Sequence, residues 1–178
     1  RFPVVLNFPG QHSVLNALAA IAISLECEAD VAAIQEGLAK FQGVDRRFQR
    51  YGEVPLPQGG SIQEVDDYAH HPNEIKATLQ AARQAFQGQR LTLVFQPHRY
   101  TRTRDHFDDF IEALRLADLI ILTEVYAAGE APIAAADGKA LARSLRTHFH
   151  LEPIYQSTLE KLPETILEVS RDQDVVLT

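Results

Sequence analysis

Hydrophobic and polar positions follow one pattern up to about residue 45 and a different one after it. The first part begins with a short apolar segment over residues 2–8, which predicts a strand that ends at the turn pair Pro9-Gly10. Two stretches with apolar residues at helical spacing follow, and Asp30 stands where the second of these helices should begin. One strand and two helices are too little for a separate domain, so residues 1–45 are expected to be a remnant of one.

From Phe48 onward, short apolar runs alternate with amphipathic stretches. Two of these runs, 91–95 and 119–122, are continuously apolar, as in strands that are buried on both faces. Alternating strands and helices predict an α/β fold: a Rossmann-like, mostly parallel six-stranded sheet with helices on both faces. The predicted strands are 48–54, 61–67, 90–95, 118–123, 152–155 and 174–177, and the predicted helices are 73–86, 104–116, 138–148 and 158–170.

Composition narrows the possible classes of protein. With 46% hydrophobic and 23% charged residues among 178, the chain is typical of a globular protein with a real core. A net charge of −7 argues against a nucleic-acid partner, and no apolar run reaches the roughly 20 residues of a membrane span. The single cysteine, Cys27, excludes an internal disulfide and favours the cytoplasm. Because there is no methionine and the last residues resemble a strand without its loop, we expect a fragment truncated at both ends.

A cluster of titratable residues follows the second predicted strand of the sheet. It consists of Asp66, Asp67, His70 and His71, with Tyr68 between them, and Pro72 then opens a helix. These groups can bind a divalent metal, transfer protons, or hydrogen-bond a ribose and a carboxylate. The alternative is a loop in which His71 or Asp67 caps the helix.

Two further polar loops follow the next two strands. His98, Arg99 and Arg102 form either an anion clamp or a solvated turn before a helix capped at Thr101 or Thr103. The third loop, residues 124–130, contains small residues that allow close backbone approach. Since parallel strands end at one edge of a sheet, the three loops are expected to share a site there.

The first part of the chain adds two smaller clusters. His12 and Asn16 lie four residues apart at the start of a helix, where they either face a heterocycle or ribose together or are incidental to a helix cap. Arg46 and Arg47 lie between the two parts, as surface charge or as a phosphate contact. No Walker-type phosphate loop, G-x-S-x-G or C-x-x-C motif occurs.

Five segments, in this order, resemble the Mur ligase family: GQHSVLNALAAIAI, FQGVDRRFQ, DDYAHHPNEI, FQPHRYTRT and TEVYAAGEAPI. The resemblance covers essentially the whole chain and is strongest to the members that join L-alanine to UDP-N-acetylmuramate. A related member that recycles murein tripeptide shares the DD-aromatic-AHHP element but is not expected to carry QPHRYTRT. The resemblance implies that residues 1–45 end the central ATP-binding domain and that 46–178 form the C-terminal amino-acid-binding domain, without its last helix.

The resemblance also implies a reaction and its residues. ATP would phosphorylate the lactyl carboxylate of UDP-N-acetylmuramate, and the amine of L-alanine would attack this acyl phosphate, in peptidoglycan precursor synthesis. Mg²⁺ would assist, with ligands mainly from the missing upstream domain. The family usually has asparagine where this chain has Ser13. The implied ATP contacts are His12, Asn16, Arg47 and Asp67; the implied substrate contacts are Tyr68, His70, His71, His98, Arg99 and Arg102, of which His70, Arg99 and Arg102 are expected to be catalytic.

Two other classes of function remain open. A metal-dependent hydrolase would use Asp66, Asp67, His70, His71 and His98 as ligands and bases. A non-catalytic nucleotide-binding or regulatory module would use the same nucleotide contacts without chemistry.

Overall fold

The computed structural model describes residues 1–178 and centres on one six-stranded sheet. Its strands are β1 (Gln49–Pro55), β2 (Ser61–Asp66), β3 (Leu91–Phe95), β4 (Leu119–Thr123), β5 (Ile154–Gln156) and β6 (Val175–Leu177). They lie in the order β1-β2-β6-β3-β4-β5. The β1–β2 pair is antiparallel, and every other neighbouring pair is parallel.

Helices cover both faces of this sheet. They are α1 (Gln11–Glu26), α2 (Val31–Lys40), α3 (Pro72–Ala85), α4 (Tyr100–Asp105), α5 (Phe107–Leu114), α6 (Gly138–Phe149) and α7 (Leu162–Val169). A single 3₁₀ turn, Leu159–Lys161, precedes α7. No helix is both long and apolar enough to cross a membrane.

The two faces of the sheet carry cores of unequal size. On one face α3, α5 and α6 pack on alternate strand residues in a cluster of 21 buried residues that includes Leu79, Phe110 and Leu141. On the other face α7 packs on a cluster of five buried residues that includes Ile121 and Val176. In β3, Leu93 belongs to the first cluster and Val94 to the second, which is why this strand is apolar at every position.

The structure confirms the predicted fold class and the six strands of the sheet, but the predicted strand over residues 2–8 is wrong. This segment has no strand beside it, and a strand requires a partner for its backbone groups. It lies against α2 instead, where the Asn7 side chain donates to Ala39 O and Phe41 O, and the Gln35 side chain donates to Pro3 O. The first part of the chain is therefore two helices and an extended segment.

Two predicted helices have different bounds. The stretch predicted as one helix over 104–116 is two helices, because α4 begins at Tyr100 and the backbone breaks at His106, with φ −118° and ψ 26°. Tyr100 and Thr103 are buried, so this turn packs as part of a helix although its sequence is polar. The α-helix predicted over 158–170 begins only at Leu162, because Pro163 is tolerated in a first turn but not in a helix interior.

Residues 1–45 bury few side chains. Among them only Ala17 and Ile34 are buried, whereas the remainder of the chain contains both core clusters. The segment contacts the sheet domain through α1, which packs on α3. This contact leaves an open space between the two parts.

A buried ion pair anchors the central strand β6. Asp174 has a side chain only 3% exposed. Its carboxylate accepts from Arg90 Nη2, from Arg90 Nε, whose N–H is shared between the two oxygens at 3.0 and 3.2 Å, and from Arg171 N at 2.8 Å. Removing one partner of such a pair leaves an uncompensated charge, which is strongly destabilising.

We expect Asp174→Ala to lower the free energy of unfolding by about 3 kcal/mol, measured by urea denaturation. The control is Asp105→Ala, which removes a half-exposed pair with Arg104 and is expected to cost less than about 1 kcal/mol. Equal effects of the two substitutions would contradict the anchoring role of Asp174.

Candidate functional site at the carboxyl edge of the sheet

Parallel pairing brings the predicted polar loops to one edge of the sheet. The carboxyl ends of β2, β3 and β4 lie on the same side, with β6 between β2 and β3. The loops after these strands are held to one another by backbone hydrogen bonds. Arg99 N donates to Tyr126 O at 2.9 Å, and Asp67 N donates to Thr178 O at the end of β6, also at 2.9 Å.

A cleft of about 860 Å³ lies beside this edge, between the first part of the chain and the sheet domain. Its volume is within the roughly 300–1,000 Å³ of typical small-molecule sites. Phe8, Leu38 and Phe41 contribute apolar wall on one side. All four predicted nucleotide contacts line it: His12, Asn16, Arg47 and Asp67.

Asp67 connects the cleft to the backbone of the sheet domain. Its Oδ2 accepts from Phe48 N and its Oδ1 from Ala69 N, both at 2.9 Å. Burial raises the pKa of the Asp67 carboxyl above its ordinary value of 3.8, and the two N–H donors oppose this rise. Because each carboxylate oxygen has two lone pairs, Asp67 retains acceptor capacity for a ligand hydroxyl in the cleft.

Glu74 lies where the cleft meets the second group of predicted residues. Its Oε2 accepts from His70 N and His71 N, both at 3.1 Å, and its Oε1 lies 3.9 Å from Arg47 Nη1. Burial alone would raise the pKa of Glu74, but these N–H groups and the charges of His70 and Arg47 bring it below its ordinary range. One carboxylate thus contacts both an arginine of the cleft and the loop that carries His70.

Four aromatic rings form a continuous row along the edge. Their centroids are separated by 5.2 Å from Tyr68 to His70, 6.0 Å from His70 to His98, and 5.3 Å from His98 to Tyr126. Arg102 Nη1 lies 3.3 Å from His98 Nδ1. Burial, together with the charges of Arg102, His70 and Arg99, lowers the pKa of His98, so the ring is neutral at pH 7 and its Nδ1 accepts from Arg102.

Two arginines supply positive charge beside the row. Arg99 is half-exposed and lies 3.7 Å from Glu130, whereas Arg102 has no carboxylate partner. Arg99 is also the N-cap of α4, with φ 72° and ψ 133°, a backbone conformation that is close to one only glycine adopts readily and costs about 1–3 kcal/mol. A free guanidinium on a fixed helical turn suits a carboxylate or phosphate oxygen.

The structure separates His71 from the other predicted substrate contacts. Its Nδ1 accepts from Asn73 N at 3.4 Å as the N-cap of α3, and its ring packs on His106 with centroids 4.7 Å apart. His71 is therefore a cap of α3, as one of the two sequence interpretations has it, and its role as a substrate contact stays a prediction. Asp66 is likewise engaged elsewhere, in an ion pair with Arg46 at 3.0 Å.

The five side chains of the hydrolase hypothesis do not form a metal site. No group of three or more His, Cys, Asp or Glu side chains has a geometry that could hold a metal ion. The donor set of the cleft fits a nucleotide better, since it offers an amide and an imidazole for a heterocycle, a carboxylate for a ribose and a guanidinium for phosphate.

Sequence reasoning did not assign a role to three residues of this edge: Glu74, Tyr126 and Glu130. Glu74 follows the first cluster closely in sequence, and its position three residues after His71 matches a capping box, which the structure contains. Tyr126 and Glu130 lie in the third polar loop, where nothing in the sequence distinguished them from ordinary loop residues. Only the fold brings Tyr126 onto His98 and Glu130 onto α4.

Comparison with known proteins identifies the family. Residues 46–178 match the family described as Mur ligase, glutamate ligase domain. The chain belongs to the Mur ligase family.

Curated relatives of this Mur ligase chain include the UDP-N-acetylmuramate–L-alanine ligase of Chromobacterium violaceum, which is 60% identical over 178 residues, all of this chain and 38% of the relative. The ligase of the same name from Neisseria meningitidis serogroup B is 60% identical over 176 residues, 99% of this chain and 38% of the relative. The chain therefore spans about 38% of the length of these relatives.

Two solved structures share the fold of this chain, and the one above 25% identity agrees with the family assignment. The UDP-N-acetylmuramate–alanine ligase from Thermotoga maritima has a TM-score of 0.77 and 34% identity, covering 99% of this chain and 36% of that one. A murein peptide ligase from Psychrobacter arcticus has a TM-score of 0.68 and 24% identity, covering 98% of this chain and 35% of that one. At 24% identity, the likeness to the Psychrobacter arcticus structure shows the fold alone.

We expect His98 to titrate below its ordinary pKa of 6.5, measured by NMR of its imidazole nitrogens. Since the folded state disfavours the charged ring, the associated stability is present above pH 6.5 and is lost as the pH falls through that value towards the lower folded pKa. Arg102→Ala should raise the pKa of His98 part of the way back, because burial remains. Arg104→Ala is the control, since Arg104 pairs with Asp105 instead. An unchanged titration in Arg102→Ala would show that the two side chains are not coupled.

Proposed function

We propose that this chain is the C-terminal part of an ATP-dependent ligase that joins L-alanine to UDP-N-acetylmuramate in peptidoglycan precursor synthesis. The observation that carries the proposal is that a nucleotide-sized cleft lies beside the sheet edge that carries Arg99 and Arg102, the cationic edge. The chain is also 60% identical to ligases of that name. Residues 1–45 would complete the central ATP-binding domain, and residues 46–178 would form the amino-acid-binding domain.

The cleft is the proposed ATP site. The apolar side chains of Phe8, Leu38 and Phe41 offer surface to a flat base, while His12 and Asn16 offer it hydrogen bonds. Asp67 retains lone pairs for ribose hydroxyls, and Arg47 is the cation available for phosphate. When bound, ATP supplies the phosphoryl group that activates the substrate carboxylate.

The aromatic row and the two arginines are the proposed site of amide formation. Arg102 would bind the carboxylate of L-alanine or the anionic oxygens of the reacting acyl group, because its charge is not neutralised by a carboxylate of the chain. His98 holds that guanidinium through Nδ1 and stays neutral itself. Tyr68 and His70 are neighbours in the aromatic row and follow Asp67 of the cleft in sequence, and Glu74 accepts from His70 N and lies 3.9 Å from Arg47.

The remaining parts of the catalytic machinery are proposed to lie elsewhere in the full-length enzyme. The chain itself contains no Walker-type phosphate loop and no set of side chains able to hold a metal ion. Mg²⁺ ligands and the UDP-sugar site would therefore come from the regions of the enzyme that this chain does not span. Consistent with this division, the isolated chain is expected to form no amide product.

In the full-length enzyme, we expect Arg102→Ala to lower kcat/KM for L-alanine by about 30- to 150-fold, the equivalent of about 2–3 kcal/mol for a lost charged contact. The assay is phosphate release that depends on both ATP and L-alanine. Arg104→Ala is the matched control on the same helix, because Arg104 is half-exposed and pairs only with Asp105. If both variants lose kcat/KM to the same extent, or if neither loses any, Arg102 is not part of the site.

For the nucleotide, we expect Arg47→Ala to weaken ATP binding about tenfold, the equivalent of about 1.4 kcal/mol, measured by calorimetry on the full-length enzyme. Arg46→Ala is the matched control, since Arg46 is adjacent in sequence but pairs with Asp66 and does not line the cleft. If Arg46→Ala weakens ATP binding and Arg47→Ala does not, the assignment of the cleft is wrong.

A further inference from the structure

The loop after β4, residues 124–130, is built into the cationic edge more firmly than an ordinary surface loop. Tyr126 N donates to Pro97 O at 2.8 Å, and Tyr126 O accepts from Arg99 N at 2.9 Å. These two bonds join the loop to the backbone that immediately precedes α4. The strained conformation of Arg99 is therefore held from outside its own segment, by a loop about 30 residues further along the chain.

Side chains fix both ends of this loop. At its start, Glu124 accepts from Tyr155 Oη at 2.7 Å through Oε2 and from Val125 N at 2.8 Å through Oε1. At its end, Glu130 accepts from Thr101 N at 3.0 Å through Oε2 and from Thr101 Oγ1 at 2.7 Å through Oε1. Because both ends of the loop are held by these hydrogen bonds, the Glu130 side chain is fixed beside α4.

The contacts of Glu130 bear directly on both arginines of the proposed site. Its Oε1 lies 3.7 Å from Arg99 Nη1, and Thr101, which donates to it twice, lies between Arg99 and Arg102 in the first turn of α4. One carboxylate thereby orients one guanidinium through charge and fixes the backbone that carries the other. The remaining fixed point of this turn is Arg99 O, which accepts from Thr103 N and Thr103 Oγ1.

We propose that Glu130 is a positioning residue for the amino-acid site: it sets the direction of Arg99 and Arg102 through Thr101, without itself contacting the reacting atoms. The inference rests on the proposed ligase function. It explains why a loop that lines no part of the cleft carries an acidic residue next to a site built to bind anions. Without Glu130, the first turn of α4 would lose its partner for the Thr101 N–H, and Arg99 would lose its only ion pair.

The test uses Glu130→Ala in the full-length enzyme, with Glu112→Ala as the matched control. Glu112 is a half-exposed glutamate of α5 that pairs only with Arg115. We expect Glu130→Ala to lower kcat/KM for L-alanine at least tenfold while its Tm and its affinity for ATP stay close to wild type. Glu130→Gln keeps one acceptor oxygen but no charge, so its kcat/KM should fall between those of wild type and Glu130→Ala.

A second readout is independent of activity. In Glu130→Ala, the amide hydrogen of Thr101 should exchange with solvent at least tenfold faster than in wild type, and in Glu112→Ala it should not change. If the wild-type enzyme forms no product from ATP, L-alanine and UDP-N-acetylmuramate, the proposed function fails, and amide exchange alone decides whether Glu130 fixes the turn. Wild-type kcat/KM in Glu130→Ala, or Thr101 exchange that is unchanged in it, would overturn the proposal.

Discussion

The structure depends most on the parallel pairing of β2, β6, β3 and β4. Strands that run in one direction must all end at one edge, so loops that are distant in sequence meet there. The loop after β2 brings Asp67 and His70, the loop after β3 brings Arg99, and the loop after β4 brings Tyr126. No individual contact creates the site. The direction of the strands creates it, and local contacts then adjust the distances.

At this edge, carboxylates set the arrangement of the cations. Glu74 accepts from two backbone N–H groups and faces Arg47, while Glu130 accepts twice from Thr101 and faces Arg99. In both cases hydrogen bonds to the backbone lower the pKa of the glutamate, so it stays charged where an arginine needs a fixed partner. Arg102 has no such partner and rests on a neutral imidazole instead. The edge therefore has one uncompensated guanidinium, which is a specific location for an anion rather than a diffuse basic surface.

Features that depend on neighbouring residues in the sequence could be predicted, and features that depend on contacts between distant residues could not. The six strands and the sheet class could be predicted, because continuous apolar runs such as Leu91–Phe95 reflect burial on both faces. The clusters at Asp67 and His98 could be located, because strand ends are visible in the same pattern. The strand over residues 2–8 was wrong because apolar character cannot show whether a pairing partner exists. The roles of Glu130 and Tyr126 depend on contacts across about 30 residues, which periodicity does not record.

The weakly packed first part of the chain also has a physical meaning. Residues 1–45 bury only Ala17 and Ile34, yet they contribute His12, Asn16 and Phe41 to the wall of the cleft. A wall that packs on the sheet domain mainly through α1 and α3 can shift without disturbing either core, since both core clusters lie entirely within residues 48–178. Arg47 and Phe48 follow this wall directly, and Phe48 N is bonded to Asp67. The junction between the wall and the sheet domain therefore lies next to the groups proposed to hold ribose and phosphate, and the Asp67 carboxylate fixes the backbone at that junction.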